Sequence, residues 1–304
     1  MTRQLEIRQV SKRYGDTVAL DDITFEVRAG EIFGLVGSNG AGKTTAMRIV
    51  LGVLSADAGS VRWDGRQLDL GTRRRIGYMP EERGLYPRMR VGEQLAYLAR
   101  LHGMTAAEAN AAVVTWTERL GIAGRRNDDV IKLSLGNQQR VQLGAALVHN
   151  PDILVLDEPF SGLDPVAVDV MSAVLREQAA RGVPVMFSSH QLDLVERLCD
   201  RVGIVRQGRM AAAGTVDELR AGGRDELVVR APAAPPGWAE GLPGVTVLDD
   251  TRLALDEGAD DQIVLQAALA TGPVHEFAHV RPSLTDLFRH LVGAEPSVTE
   301  GEAA

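Results

Sequence analysis

The sequence predicts an α/β protein: a mostly parallel sheet covered by helices, with an antiparallel edge, a helical subdomain and a small C-terminal α+β module. Three observations carry that expectation. Short apolar strands alternate with helical stretches from residue 32 onward. A glycine-rich loop separates the first of these strands from the first of these helices. Beyond Arg220 the texture changes to Gly/Pro-rich connections between short elements.

Residues 4–36 read as short strands broken by Tyr14-Gly15-Asp16 and Arg28-Ala29-Gly30-Glu31, the pattern of an antiparallel edge. Ile32-Phe33-Gly34-Leu35-Val36 is a buried strand, and residues 45–51 form the helix after it. Arg75-Ile76-Gly77-Tyr78-Met79 is the next strand, and residues 91–120 read as helices punctuated by Gly103. A helix over about 135–149 leads into the apolar strand Ile153-Leu154-Val155-Leu156. A further helix over 166–181 precedes the strand Pro184-Val185-Met186-Phe187. After the Ala221-Gly222-Gly223 linker, strands are expected at 226–230, 245–248 and 252–255, with helices at 262–270 and 283–291. The expected organisation is a main domain over 1–220, a small accessory α+β domain over 221–293, and a disordered acidic tail over 294–304.

With 304 residues, 45% hydrophobic and 24% charged, the chain has room for two domains and a sizeable core. Its net charge of −8 is unevenly placed. Residues 1–220 carry 28 basic and 27 acidic side chains, whereas residues 221–304 carry 5 and 14. That acidity argues against nucleic acid as a partner of the C-terminal part. The single Cys199 excludes an intramolecular disulfide or a thiolate cluster and fits a reducing cytosol. Its helical neighbours, Leu194-Val195-Glu196-Arg197-Leu198, predict a buried structural thiol. Met1-Thr2-Arg3-Gln4-Leu5-Glu6 does not resemble a signal peptide. No stretch approaches the roughly 18 apolar residues of a membrane span, so any membrane connection is expected through a partner.

Gly37-Ser38-Asn39-Gly40-Ala41-Gly42-Lys43-Thr44 is a complete G-x-x-x-x-G-K-[ST] phosphate-binding loop. Its glycines let the backbone bend so that successive N–H groups face a polyphosphate, and the following helix N-terminus adds partial positive charge. Residues 37–45, through Ala41 and Thr45, are therefore expected to contact the nucleotide. Lys43 would reach the β- and γ-phosphates and the Thr44 hydroxyl would hold Mg²⁺. A ligand-free turn is the competing reading; the strand before and helix after the loop decide for a nucleoside triphosphate. Asp157 and Glu158 end the apolar strand at 153–156, which places both carboxylates at the carboxyl edge of the sheet. Asp157 would hold Mg²⁺ through water, and Glu158 would polarise the attacking water. Without the phosphate loop, the pair reads equally as an ordinary strand-terminating acidic pair.

Taken with these motifs, residues 3–215 resemble the nucleotide-binding subunits of ATP-binding cassette (ABC) transporters. Leu133-Ser134-Leu135-Gly136-Asn137-Gln138-Gln139-Arg140 is similar to the family signature Leu-Ser-Gly-Gly-Gln. Leu135 and Asn137 depart from it, while Ser134 and Gly136 are retained. The resemblance implies that this segment grips the γ-phosphate bound by the other protomer, and that Ser161-Gly162-Leu163-Asp164 crosses between protomers. It also implies that His190 senses the γ-phosphate and that Tyr14 stacks on adenine. Lys43, Glu158 and His190 form the implied catalytic set, with ATP and Mg²⁺ as ligands.

In Gly77-Tyr78-Met79-Pro80-Glu81-Glu82-Arg83-Gly84-Leu85-Tyr86 the family's usual Gln is replaced by Glu81. Two readings of Glu81 stand: a metal contact beside the phosphates, or a residue that faces solvent, Arg83 or a permease. The string from Glu81 to Pro87, and the ending Pro282-Ser283-Leu284-Thr285-Asp286-Leu287-Phe288, resemble a branch that includes drug and sodium exporters. The implied protein is an ATPase that dimerises head to tail with a second copy or a homologous cassette. It would power export of an unidentified substrate through separate membrane permease subunits, from the cytoplasmic face of the membrane. A soluble ribosome- or DNA-associated cassette protein is the alternative from another class; the single motif set and the lack of heptads oppose it. An importer ATPase is the nearer rival.

Overall fold

The computed structural model describes residues 3–82, 84–221, 225–256, 258–280 and 283–292. The chain divides into two compact units, Met1–Gly214 and Thr215–Ala304.

The first unit opens with β1 (Gln4–Tyr14), β2 (Thr17–Arg28) and β3 (Ile32–Val36), followed by α1 (Lys43–Leu51). Next come β4 (Ala58–Trp63), β5 (Arg66–Gln67), α2 (Leu70–Arg73) and β6 (Ile76–Met79). Three helices follow: α3 (Val91–Leu101), α4 (Ala106–Arg119) and α5 (Leu135–Leu147). The unit ends with β7 (Ile153–Leu156), α6 (Pro165–Ala180), β8 (Val185–Ser189), α7 (Leu192–Leu198), β9 (Arg201–Arg206) and β10 (Arg209–Thr215).

β1, β2, β4 and β5 form an antiparallel sheet in the order β2-β1-β4-β5. The breaks expected at residues 14–16 and 28–31 are where β1 and β2 end, and the antiparallel pairing is as expected, but at 11 and 12 residues the two strands are long rather than short. Register shifts along β1, with Gln9 and Asp22 at φ 52° and 54°, interrupt the alternation that a strand reading relies on. The main sheet has the order β10-β9-β3-β8-β7-β6, and its pairs from β9 to β6 are all parallel. Its central strands β3, β7 and β8 are buried at every residue, which is why β3, β7 and the first three residues of β8 read as apolar runs. Being parallel, they deliver Val36, Leu156 and Ser189 to one edge, so the phosphate loop, Asp157-Glu158 and His190 emerge side by side.

Phe33, Leu35, Met47, Val155 and Met186 pack in the core beneath that edge. A Cβ at Gly34 would lie 2.8 Å from the Cys199 sulfur and 2.9 Å from Val195, so only glycine fits there. Cys199 is buried, as its helical neighbours predict, and burial pushes its thiol well above the ordinary range.

The second unit contains α8 (Val216–Ala221), β11 (Asp225–Arg230), β12 (Val245–Val247), β13 (Arg252–Leu255), α9 (Asp261–Thr271), β14 (Glu276–Val280) and α10 (Leu284–Val292). Its antiparallel sheet has the order β12-β13-β11-β14, and Leu227, Val229, Leu253, Leu255, Val264 and Ala268 form a separate core. β14 is not evident in the sequence because Glu276 and His279 break its apolar run. At the start of α10, the Ser283 N–H and hydroxyl donate to Asp286 Oδ2 at 3.1 and 2.6 Å, and Asp286 N–H donates back to Ser283 Oγ at 3.1 Å. Arg252 on β13 lies 3.3 Å from the other Asp286 oxygen. The Ser-x-x-Asp of the C-terminal motif is thus a reciprocal helix cap anchored to the sheet. Arg83, Gly222, Gly223, Pro282 and the expected tail at 294–304 lie outside the described residues.

Candidate nucleotide-binding site

The loop after β3 is shaped by contacts that exclude side chains. A Cβ at Gly37 would lie 2.5 Å from the Val205 carbonyl oxygen. Gly42 has φ 109°, and a Cβ there would meet the Ala19 carbonyl at 2.6 Å. Ser38, Asn39 and Gly40 form the exposed crest between them. α1 then begins at Lys43 with no side-chain cap and no acid in its first turn. Its first N–H groups are left for an anion, and Thr44 and Thr45 stand among them.

Lys43 is buried, and its ammonium donates to the carbonyls of Gly37 at 2.7 Å and Ser38 at 3.3 Å. It lies 4.0 Å from Glu158 Oε1. His190 Nδ1 is 2.9 Å from the other Glu158 oxygen, while the ring itself is exposed. Burial raises the Glu158 carboxyl above its ordinary pKa, opposed by the charges of His190 and Lys43. A carboxyl held this way can work as a base near neutral pH.

Asp157 and Glu158 share a residue that sequence reading did not single out. The Ser188 hydroxyl on β8 donates to Asp157 Oδ1 at 2.6 Å and accepts from the Glu158 N–H at 2.8 Å. Glu158 has φ 47°, an uncommon conformation for a non-glycine residue, and this bond holds its backbone there. The only sequence signal for Ser188 was its place two residues before His190.

A cleft of about 230 Å³ gathers residues 39–45 with Ala19, Glu81, Asp157 and Glu158 along its walls. Asp157 Oδ2 is buried without a hydrogen-bond partner. With the Thr44 hydroxyl and the Glu81 carboxylate in the same cleft, these are the hard oxygen donors that Mg²⁺ takes. Among the described residues no three His, Cys, Asp or Glu side chains close a metal site by themselves. A cation here would complete its shell with ligand oxygens and water, as a nucleotide-borne Mg²⁺ does.

Ser134 and Gly136 are not on this cleft. Ser134 caps α5, its hydroxyl accepting from Asn137 N–H at 3.4 Å. A Cβ at Gly136 would meet nothing closer than 3.7 Å, so folding of this chain does not require the glycine. Tyr14 ends β1, half-exposed, with the Lys12 ammonium 5.9 Å from its ring and outside the cleft lining.

Residues 20–161 match the ABC transporter family, and residues 214–292 match the C-terminal domain of DrrA1-3-like ATP-binding proteins. The ABC transporter ATP-binding protein YhaQ of Bacillus subtilis is 39% identical over 95% of this chain and 99% of its own length. The chain belongs to the ATP-binding subunits of ABC transporters. Nod factor export ATP-binding protein I of Burkholderia thailandensis is 35% identical over 96% of this chain and 97% of its own. Among solved structures, the ATP-binding subunit of an ABC transporter aligns with TM-score 0.66 and 33% identity, covering 71% of this chain and 92% of that one. An ABC subunit of this kind hydrolyses ATP, and the cleft is where its loop and acids meet. No helix among the described residues is long and apolar enough to cross a membrane.

Proposed function

We propose that this subunit binds ATP with Mg²⁺ in the cleft of residues 39–45 and hydrolyses it to drive export through separate permease subunits. The observation that carries this reading is the meeting of Lys43, Asp157 and Glu158 at one sheet edge. Similarity to a Nod factor export protein over nearly the whole of both chains supports export. The N–H groups of residues 40–45 and the Lys43 ammonium hold the polyphosphate, and Tyr14 offers a face for adenine. Thr44, Asp157 and Glu81 are the residues that would hold Mg²⁺, which supplies charge neutralisation on the phosphate oxygens. Glu158 accepts the proton of the attacking water, held in place by His190.

Ser134 and Gly136 stand away from the cleft of their own chain, with room above the glycine. That placement supports a head-to-tail dimer, with a second copy or a homologous cassette, in which they close over the other protomer's nucleotide. We assign this chemistry to residues 1–220 and an accessory role to residues 221–293, with the subunit docked by its permease at the cytoplasmic face of the membrane. The test is Lys43→Ala. Calorimetry with Mg²⁺ should show ATP affinity reduced by at least the tenfold that about 1.4 kcal/mol represents. Unchanged affinity refutes the assignment of the loop.

A further inference from the structure

Helix α5 carries two buried amides, Gln139 and Gln142, one helical turn apart on one face. Gln139 Nε2 donates to the carbonyl of Pro159, the residue after Glu158, at 3.2 Å. Gln142 Nε2 donates to the carbonyls of Pro80 at 2.6 Å and Glu82 at 3.3 Å, the two that flank Glu81. The same two loops are joined by the Asp157 N–H, which donates to the Met79 carbonyl at 2.8 Å.

We propose that Gln139 and Gln142 are positioning residues, through which α5 sets both acidic loops of the nucleotide cleft. The proposal rests on Glu158 and Glu81 being site residues. An amide suits this task because it offers two N–H donors without a charge. One such group can serve the carbonyls on both sides of Glu81 in a buried place where a lysine would need a counter-ion. Met has nearly the same length and no donor; Glu has the same shape and, when ionised, only acceptors, which would face carbonyl oxygens. The helix that holds the two loops is the one whose first turn carries Ser134 and Gly136. Its displacement therefore moves Glu158 and Glu81 together.

The experiment uses the full chain and four substitutions, Gln142→Met, Gln142→Glu, Gln139→Met and Glu81→Gln, followed by ATP calorimetry, steady-state ATPase with Mg²⁺ titration, and urea denaturation. Gln142→Met is expected to lower kcat roughly tenfold while leaving ATP affinity within about twofold, since residues 37–45 keep their contacts. It should also shift the Mg²⁺ midpoint, and the shift should vanish when Gln142→Met is made on the Glu81→Gln background. Gln139→Met should lower kcat and move the acid limb of its pH profile without moving the Mg²⁺ midpoint. Folded variants with wild-type kcat overturn the proposal, as does a Gln142→Met shift that persists without Glu81. Failure of both Gln142 substitutions to fold overturns it in favour of a purely structural role. An unchanged Mg²⁺ curve for Glu81→Gln alone refutes the metal reading of Glu81; the kcat of the two Met variants then decides whether the amides position the loops.

Discussion

Replacing Ser188 by Ala removes two bonds at once and should be the most damaging one-atom change in the site. The hydroxyl is fully buried, donating to Asp157 Oδ1 and accepting from the Glu158 N–H. A hydrogen bond to a charged acceptor contributes about 1.5–3 kcal/mol, and a buried N–H left unpaired costs about 1–3 kcal/mol. Loss of the second bond also frees Glu158 from its positive φ, a conformation that costs about 1–3 kcal/mol and persists only when its surroundings impose it. Relaxation there returns part of the penalty, so the expected loss of stability is roughly 2–4 kcal/mol. Urea denaturation of the ligand-free protein measures it, with Ser189→Ala as the control. The Ser189 hydroxyl accepts from Gln191 N–H at 3.0 Å, and its loss should cost about 1 kcal/mol. The same Ser188→Ala protein should need more Mg²⁺ for half-maximal ATPase, because Asp157 is no longer held. Equal stability losses for the two serines, with superimposable Mg²⁺ curves, would refute the reasoning.

Glu158→Gln should slow hydrolysis about 10²–10⁴-fold while ATP stays bound, measured by single-turnover assay. Because the folded carboxyl is raised, Glu158 contributes stability below its unfolded pKa of about 4.3 and loses it as pH rises through the folded value. Glu158→Gln should therefore melt higher than wild type at neutral pH, by a margin that vanishes in acid. For the same reason kcat should begin to fall on the acid side at a higher pH than an ordinary Glu would dictate. Gly136→Ala should fold with wild-type stability, since its Cβ has ordinary room, yet lose ATPase in the dimer; wild-type turnover would remove Gly136 from the site.

The parallel core and the phosphate loop were legible because their causes are local. β3, β7 and the first three residues of β8 are buried on both faces and read as apolar runs, and Gly37, Gly42 and Lys43 form a motif with a fixed spacing. The turns that end β1 and β2 are legible too, in Tyr14-Gly15-Asp16 and Arg28-Ala29-Gly30-Glu31, whereas the positive φ of Gln9 and Asp22 inside those strands leaves no mark in the sequence. The roles of Ser188, Gln139 and Gln142 have no local signal. Their partners lie 31, 20 and 62 residues away in the chain, so only the folded sheet shows what they hold. The Ser283–Asp286 pair is legible as part of a family motif, but its physical task as a helix cap lies in its bonds.

The bonds from Lys43 to the carbonyls of Gly37 and Ser38 bear on how fast and how tightly nucleotide is taken up. The ammonium is already dry and already inside the curve of its own loop, so little ordering or dehydration of the lysine remains to oppose binding. Arrival of a phosphate is then an exchange, one set of oxygens for another around a cation that hardly moves. The enthalpy of that exchange should be small for the lysine itself. Discrimination between a diphosphate and a triphosphate is left to groups that gain partners rather than trade them: the free N–H groups of α1 and the unpaired oxygen of Asp157.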